Sequence, residues 1–527
     1  MSRLVRPQTL RGFRDLLPEE MLLRNEVVDR IRRVYESFGF VPLDTPVLES
    51  LPTLVGSGGD EADKQIFHVT EPGTAPVRKT GDELEDGTPG ESAAGVGMRF
   101  DLTVPFARII AQYHPQQVRL PFRRYHIGPV FRADEPQPEQ GRFRQFTQFD
   151  CDIAGSSAVA ADAEIVAVMV GALESLGLEP APLDGATDPR PGYFIRVNNR
   201  KLVDAFLAGL GITEPAQARH VLRVLDKADK ITAAALRAEL GEGRFDSSGD
   251  RIPGVGLAEA TIAAILDFAA VRQDTRAKVV DDLADRLPDT EQSAAALTEV
   301  RELLGHLDAF GVSEAGARFD PSLARGLAYY TGTVYEGTLA GAGVGSVIGG
   351  GRYDGLVSRF SDDPVAAVGA SIGLDRLITG LRNLGLELGT TATTAGVVVL
   401  VMPGVDSTHA SRAAHELRRA GLATELYVGE SVGKVGKQLA YANAQGFRAA
   451  VMIGSNELRD DTVTVKDLRA GSEARAGITD NKDYKVAGKS GQQVVPRTDL
   501  VAVVRSVIDP DDADLAGTAS NESEPTP

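Results

Sequence analysis

Between Phe131 and Asp152 the sequence runs FRADEPQPEQGRFRQFTQFDCD. It holds three arginines, a Pro/Glu/Gln turn and a strand-like stretch that closes on two acids. Read as a hairpin, YHIGPVFR is the first strand and RFRQFTQFDCD the second, with side chains alternating between faces. Arg142, Arg144, Phe146, Gln148, Asp150 and Asp152 then share one face. That face passes from cation through an aromatic ring to amide and carboxylate, and at ~3.3 Å per residue it extends roughly 30 Å. A guanidinium suits a phosphate, and carboxylates suit an ammonium or an imidazole. A Phe ring can stack on a base. The ribbon can therefore hold a nucleotide with a second, cationic molecule beside it. Taken alone, it also reads as an exposed hairpin with mixed charges.

Other stretches carry weaker hints. RFDLTVP, Arg99 to Pro105, sets Asp101 and Thr103 on one strand face, where an acid and a hydroxyl suit an α-ammonium group. By itself, a strand end with solvated polar residues explains it more simply. LARGLAYYTGTVYEG brings Arg325, Tyr329, Tyr330 and Glu336 together, as a pocket wall or a core plug. GSVIGGGRYDGL has consecutive glycines at Gly349, Gly350 and Gly351, which let backbone approach something closely. Its spacing is not the GxGxxG dinucleotide fingerprint. GASIGLDRL carries Arg376. AGKSG at Ala487–Gly491 imitates the end of a phosphate-binding loop, but Asp483 stands where the partner glycine belongs.

These residues need elements to place them. A chain of 527 residues is long enough for two or three domains. Glu20 to Phe38 has helical apolar spacing, while Pro42 and Pro46 make GFVPLDTPVLES extended. Glu71 to Gly97 is rich in Gly, Pro and acid and reads as a surface insertion. Ala160 to Leu176 is apolar and helical, and from Val203 to Gly311 the pattern is almost wholly helical. Strand and glycine signals then resume. Thr390 to Gly396 reads as a linker. Beyond it strands and helices alternate, which predicts a small α/β domain with a mostly parallel sheet. The final acidic, polar residues predict a disordered tail.

Bulk properties exclude several classes. No apolar run reaches transmembrane length, and the N-terminus lacks the pattern of a secretory signal. The single cysteine, Cys151, excludes an internal disulfide framework or a cysteine-cluster metal site and fits a reducing cytoplasm. Seven scattered histidines form no HExxH pair, so no bound metal is expected. A formal charge of −18 argues against holding nucleic acid by bulk attraction, though not against a local basic groove.

The order of these segments resembles the histidyl-tRNA synthetases, which are class II aminoacyl-tRNA synthetases. GFVPLDTPVLES with Pro46 is similar to class II motif 1, YHIGPVFRADEPQPEQGRFRQF to motif 2 and GASIGLDRL to motif 3. LARGLAYYTGTVYE and GGGRYDGL resemble two segments particular to the histidine enzymes. One departure is Ala328, where that family usually has Asp. The resemblance implies an α+β catalytic domain, an antiparallel sheet flanked by helices, over 1–202 and 312–389. It implies a helical insertion at 203–311 and a C-terminal α/β anticodon-binding domain at 394–507, before a tail at 508–527. It also implies a cytoplasmic homodimer acting on L-histidine, ATP with Mg²⁺, and tRNA(His). Under it Arg132 and Arg325 serve the α-phosphate, Asp134 helps place ATP, and Arg142 meets the terminal phosphates. Phe146 lies under adenine and Arg376 holds the pyrophosphate end. Asp101, Thr103 and Gln148 take the α-ammonium side; Asp152, Tyr329, Tyr330 and Tyr353 shape the imidazole pocket. Lys434, Lys437, Arg448 and Lys466 are candidates for anticodon contact. The alternative is a regulatory paralogue from histidine biosynthesis that binds histidine without charging tRNA.

Overall fold

The structure, a computed structural model, describes residues 4–55, 65–70, 95–183, 192–228, 231–245, 249–324, 330–386, 392–430, 434–473 and 490–509. Most of the Gly/Pro-rich stretch and the acidic tail lie outside the described residues. The chain forms two compact units: residues 1–15 with 27–387, and residues 16–26 with 388–527.

Helix α1 (Pro18–Ser37) is divided between the units at Val27, and its first-unit part leads into β1 (Val41–Pro42). Helix α2 (Thr103–Tyr113) is followed by the long hairpin β2 (Phe122–Phe131) and β3 (Gln145–Ala154), and then by helix α3 (Val159–Glu174). Next come β4 (Gly192–Asn199), helix α4 (Arg200–Gly209) and helix α5 (Pro215–Leu225). The sheet resumes with β5 (Ala317–Phe319), β6 (Thr333–Ala340), β7 (Ile348–Arg352) and β8 (Ala367–Gly373), and helix α6 (Leu374–Asn383) follows. The strands lie in the order β1-β2-β3-β8-β7-β6-β4-β5. From β2 to β4 every pairing is antiparallel; the edge strands β1 and β5 pair parallel. Helix α3 is apolar nearly all round and largely buried, as a helix under a sheet must be. It is tied to the sheet by a buried ion pair, Arg352 Nε to both Asp162 carboxylate oxygens at 3.1 Å, and by Tyr335 Oη donating to Asp162 O at 3.1 Å.

Three local expectations need correction. Arg99–Pro105 is not a strand. Asp101 Oδ1 accepts the Val104 N–H at 3.0 Å and opens helix α2 at Thr103; Pro105 is tolerated because the first turn needs no intrahelical N–H. The second ribbon strand begins at Gln145 rather than Arg142. Before it, Gln137 and Arg142 form an isolated bridge, so the regular alternation of the strand does not govern Arg142 and Arg144. The stretch 203–311 also contains an antiparallel hairpin, Gly243–Phe245 with Arg251–Pro253, among its helices.

The second unit has a five-stranded sheet: β9 (Val397–Val399), β10 (Thr424–Leu426), β11 (Ala449–Met452), β12 (Thr462–Asp467) and β13 (Gln492–Pro496). Two pairings are parallel and two antiparallel, so the sheet is mixed rather than mostly parallel. Parallel neighbours need a long crossover, and only six helical residues, Ser455–Asp460, separate β11 from β12. Apolar clusters cover both faces of this sheet. Among the described residues no helix is long and apolar enough to cross a membrane.

Candidate active site

A cavity of about 790 Å³ lies in the first unit, over the β3-β8-β7 region of the sheet. Asp101, Thr103, Gln148, Asp152, Tyr330 and Tyr353 line it, as do Arg132, Asp134, Arg142, Phe146 and Arg376. Residues from four separated segments of the chain therefore meet in one space. Arg325, Tyr329 and Ala328 lie outside the described residues.

One end is acidic and buried. Asp152 accepts a hydrogen bond from Tyr353 Oη, and its Oδ2 lies 2.7 Å from Arg124 Nη2. Arg124 is fully buried, donates to Leu102 O at 3.2 Å and stacks 4.5 Å from the Phe106 ring centre. Asp150 Oδ2 stands 3.8 Å from the same guanidinium. One arginine thus faces two buried carboxylates, with Asp101 nearby as a third. Burial pushes the Asp101 carboxyl up to about 6 against the pull of the Val104 N–H, Arg132 and Arg124. Burial pushes Asp150 up to about 7, Arg124 opposing and Asp152 adding; burial raises Asp152 too.

Several polar atoms here await a partner. Asp101 Oδ2 and Gln148 Oε1 are buried without a hydrogen bond, while Gln148 Nε2 is spent on Ser371 Oγ at 2.6 Å. Buried polar atoms without partners are uncommon in folded proteins. Two acceptors at the wall of an acid-rich cavity fit a bound ammonium group. Close packing sets the floor: a Cβ on Gly369 would stand 2.0 Å from Asp152 Oδ1.

The other end is cationic. Arg132 Nε donates to Phe100 O at 3.0 Å, and its guanidinium lies 5.2 Å from the Phe146 ring centre. Arg142 pairs with Asp134 at 2.8 Å. Arg376 Nη1 donates to Ser346 O at 3.1 Å. Arg144, predicted on the same face, does not line the cavity. Its Nε donates to Asp134 O at 3.0 Å, and Phe143 lines the cavity in its neighbourhood.

Other lining residues escaped the sequence reading. Arg200, which opens α4, and Arg219 and Arg223 of α5 face the cavity. The helical pattern of 203–311 includes α5, but which basic residue points inward depends on how the helix docks. Arg124 carried no signal beyond being one of two adjacent arginines, Arg123 and Arg124, in a strand. In the second unit, Lys466 is buried in β12 and Arg448 is half-buried, donating to Ile508 O. Neither is placed as an exposed contact residue, whereas Lys434 and Lys437 are exposed. Among the described residues no three His, Cys, Asp or Glu side chains converge as a metal site.

Comparison with known proteins agrees with this arrangement. The family model described as Histidyl-tRNA synthetase matches residues 85–377, and that described as Anticodon binding domain matches 397–505. The chain is 38% identical to the Histidine--tRNA ligase of Rhizobium meliloti over 96% of each chain. This chain belongs to the histidyl-tRNA synthetase family. The synthetase is also 37% identical to the Histidine--tRNA ligase of Paracoccus denitrificans, over 95% of this chain and 97% of that one. Its structure is similar to the crystal structure of histidyl-tRNA synthetase from Nostoc sp. PCC 7120, with TM-score 0.73 and 28% identity over 95% and 99% of the two chains. An ATP phosphoribosyltransferase regulatory subunit/histidyl-tRNA synthetase from Bacillus halodurans, at 22% identity and TM-score 0.64, shares the fold.

Proposed function

We infer that this chain is a histidine–tRNA ligase that activates L-histidine with ATP and passes the histidyl group to tRNA(His). The observation that supports this most is the single cavity with two chemical ends. Asp101 and Asp152 lie at one, and Arg132, Arg142 and Arg376 at the other. A cationic amino acid and a polyphosphate can therefore lie side by side.

In the first step a carboxylate oxygen of histidine attacks the α-phosphorus of ATP and pyrophosphate leaves. In the second a ribose hydroxyl at the tRNA terminus attacks the histidyl carbonyl and AMP leaves. Neither step needs a protein nucleophile, so the protein contributes positioning and stabilisation of charge on phosphorus. Arg132 takes the α-phosphate, and Arg325 shares that role as the charge builds. Asp134 holds Arg142 until the terminal phosphates compete for it. Phe146 and Arg376 take the adenine and the pyrophosphate end. Asp101, Thr103 and Gln148 receive the α-ammonium group, and the unsatisfied oxygens of Asp101 and Gln148 support that placement. Asp152, Tyr329, Tyr330 and Tyr353 recognise the imidazole. A pocket built to hydrogen-bond a polar ring rejects analogues lacking it by about 10⁴–10⁵-fold. Mg²⁺ arrives with ATP, held mostly by phosphate and water.

Arg200, Arg219 and Arg223 give the phosphates of a tRNA end a cationic approach to the cavity. We assign 1–202 and 312–389 to the catalytic domain, 203–311 to the insertion and 394–507 to the anticodon-binding domain. A cytoplasmic homodimer is the working assembly. A regulatory paralogue that binds histidine without charging tRNA is disfavoured by the anticodon-binding match and the retained arginines. Charging of tRNA(His) with labelled histidine tests the reading. The wild-type chain should acylate it, and Asp152→Asn should lose most of the activity. Tight histidine binding without acylation would sink the reading.

A further inference from the structure

The stretch Leu10–Asp15 has no regular secondary structure, yet it is pinned at several points to the elements that carry the site. Phe13 N donates to Leu10 O at 3.0 Å and closes a turn. Gly12 O accepts the Arg144 N–H at 2.8 Å, so the strap is hydrogen-bonded to the segment between Arg142 and β3. Gly12 has φ +84°, and a Cβ there would stand 2.7 Å from Arg144 Cγ, so only glycine allows this approach. The Phe13 ring meets Phe67 edge-on at 6.1 Å, two residues from cavity-lining Gln65. Arg11 pairs with Glu135 in the β2–β3 loop.

Arg14 makes the central contact. Its guanidinium lies 4.2 Å from the ring centre of Phe143, and its Nη2 is 2.7 Å from Asp375 Oδ1. The Asp375 side chain is 5% exposed, and its other oxygen accepts the Thr147 N–H at 2.7 Å. Asp375 stands in the first turn of α6, where the helix dipole favours an anion, and is followed directly by Arg376. One carboxylate thus joins the N-terminal strap, the start of β3 beside Phe146, and the helix that carries Arg376.

We propose that Leu10–Asp15 is a positioning element of the nucleotide end of the site, and that it acts through Arg14. The proposal rests on the placement of ATP against Arg142, Phe146 and Arg376. Arg14 touches no reacting atom; it sets where Asp375 holds the Thr147 backbone and the first turn of α6. The acidic end is built by Asp101, Gln148, Asp152 and Tyr353, whereas the strap is held by Arg144, Phe143 and Asp375. The effect should therefore fall on ATP and spare histidine. A lysine at position 14 keeps the charge but lacks the flat guanidinium that stacks on Phe143, so it should rescue only in part.

The test is histidine-dependent ATP–pyrophosphate exchange on the full chain, with ATP and histidine varied separately. Arg14→Ala and Gly12→Ala should each raise KM for ATP about tenfold or more, because a displaced binding group loses much of its worth. KM for histidine should stay within about twofold, and Arg14→Lys should lie between. An unchanged KM for ATP in both alanine variants would overturn the proposal. So would a fall in kcat with both KM values kept in a protein of lowered Tm, which is what a merely structural strap would give. If Arg14→Ala does not fold, Gly12→Ala and Arg14→Lys carry the same comparison. Arg142→Ala and Arg376→Ala run alongside: if neither raises KM for ATP, the nucleotide placement fails rather than the strap.

Discussion

Asp152 sits where a methyl group on Gly369 would stand 2.0 Å from its Oδ1, with Tyr353 and Arg124 holding its two oxygens. Gly369→Ala should therefore displace the carboxylate and, because the same methyl would stand 2.7 Å from Cys151 O, shift the backbone of β3 as well. Overpacking of this kind costs about 1–3 kcal/mol, and KM for histidine should rise more than KM for ATP, read by pyrophosphate exchange. Asp150 gives a second prediction. Its carboxyl is raised to about 7, burial being the first cause. Arg124, Asp152, Asp101 and Ser371 are the neighbours that bear on it. A carboxyl raised by folding contributes stability that is fully present below its unfolded value, near 4, and is lost as pH rises through about 7. Asp150→Asn should remove part of this slope, so its Tm should fall less than the wild type's between pH 5 and pH 8, by scanning calorimetry. Of the residues that line the cavity, Arg142, Phe146, Gln148 and Asp152 were legible because their types answer a phosphate, a base or an ammonium, while Asp134 and Tyr353 were named only through the resemblance. Arg124 and Arg14 were not legible, and nor was the pairing of Asp150 with Arg124, because these depend on contacts across long stretches of sequence.

Elements were legible where a period was sustained. Helix α1 and the β2–β3 hairpin follow from apolar spacing and turn chemistry. RFDLTVP misled because an alternating pattern ending in proline looks like a strand, whereas Asp101 accepts the Val104 N–H at the start of a helix whose first turn admits Pro105. The β11–β12 pairing was misjudged because alternation of strand and helix signals says nothing of how short a connecting helix is. In the second unit, fully buried Gln438 binds both backbone groups of Val401, at 2.9 Å each. Gln438→Leu leaves both backbone groups without that partner, which costs about 1–3 kcal/mol for each. The variant should unfold the second unit at lower temperature and weaken tRNA charging. Histidine-dependent exchange, whose cavity is lined wholly by the first unit, should be unchanged.

At the scale of the molecule, a chain of formal charge −18 handles a polyphosphate and a polyanion by placing its cations locally. Arg132, Arg142 and Arg376 serve one end of a cavity, with Arg200, Arg219 and Arg223 along another side. In the proposed reading the acidic end takes the cationic substrate, and low local polarity strengthens both sets of contacts. A separate C-terminal α/β part was legible from the change of pattern beyond Gly396, whereas its anticodon-binding character came from the resemblance. Which residues of the second unit meet tRNA was not, since exposure of a lysine is a property of the folded sheet. The most direct test of the account is histidine-dependent ATP–pyrophosphate exchange on the purified chain, with the other amino acids as controls and Arg325→Ala beside the wild type. The account predicts exchange with histidine alone, lost in the variant. No exchange from a chain that still binds histidine would contradict it.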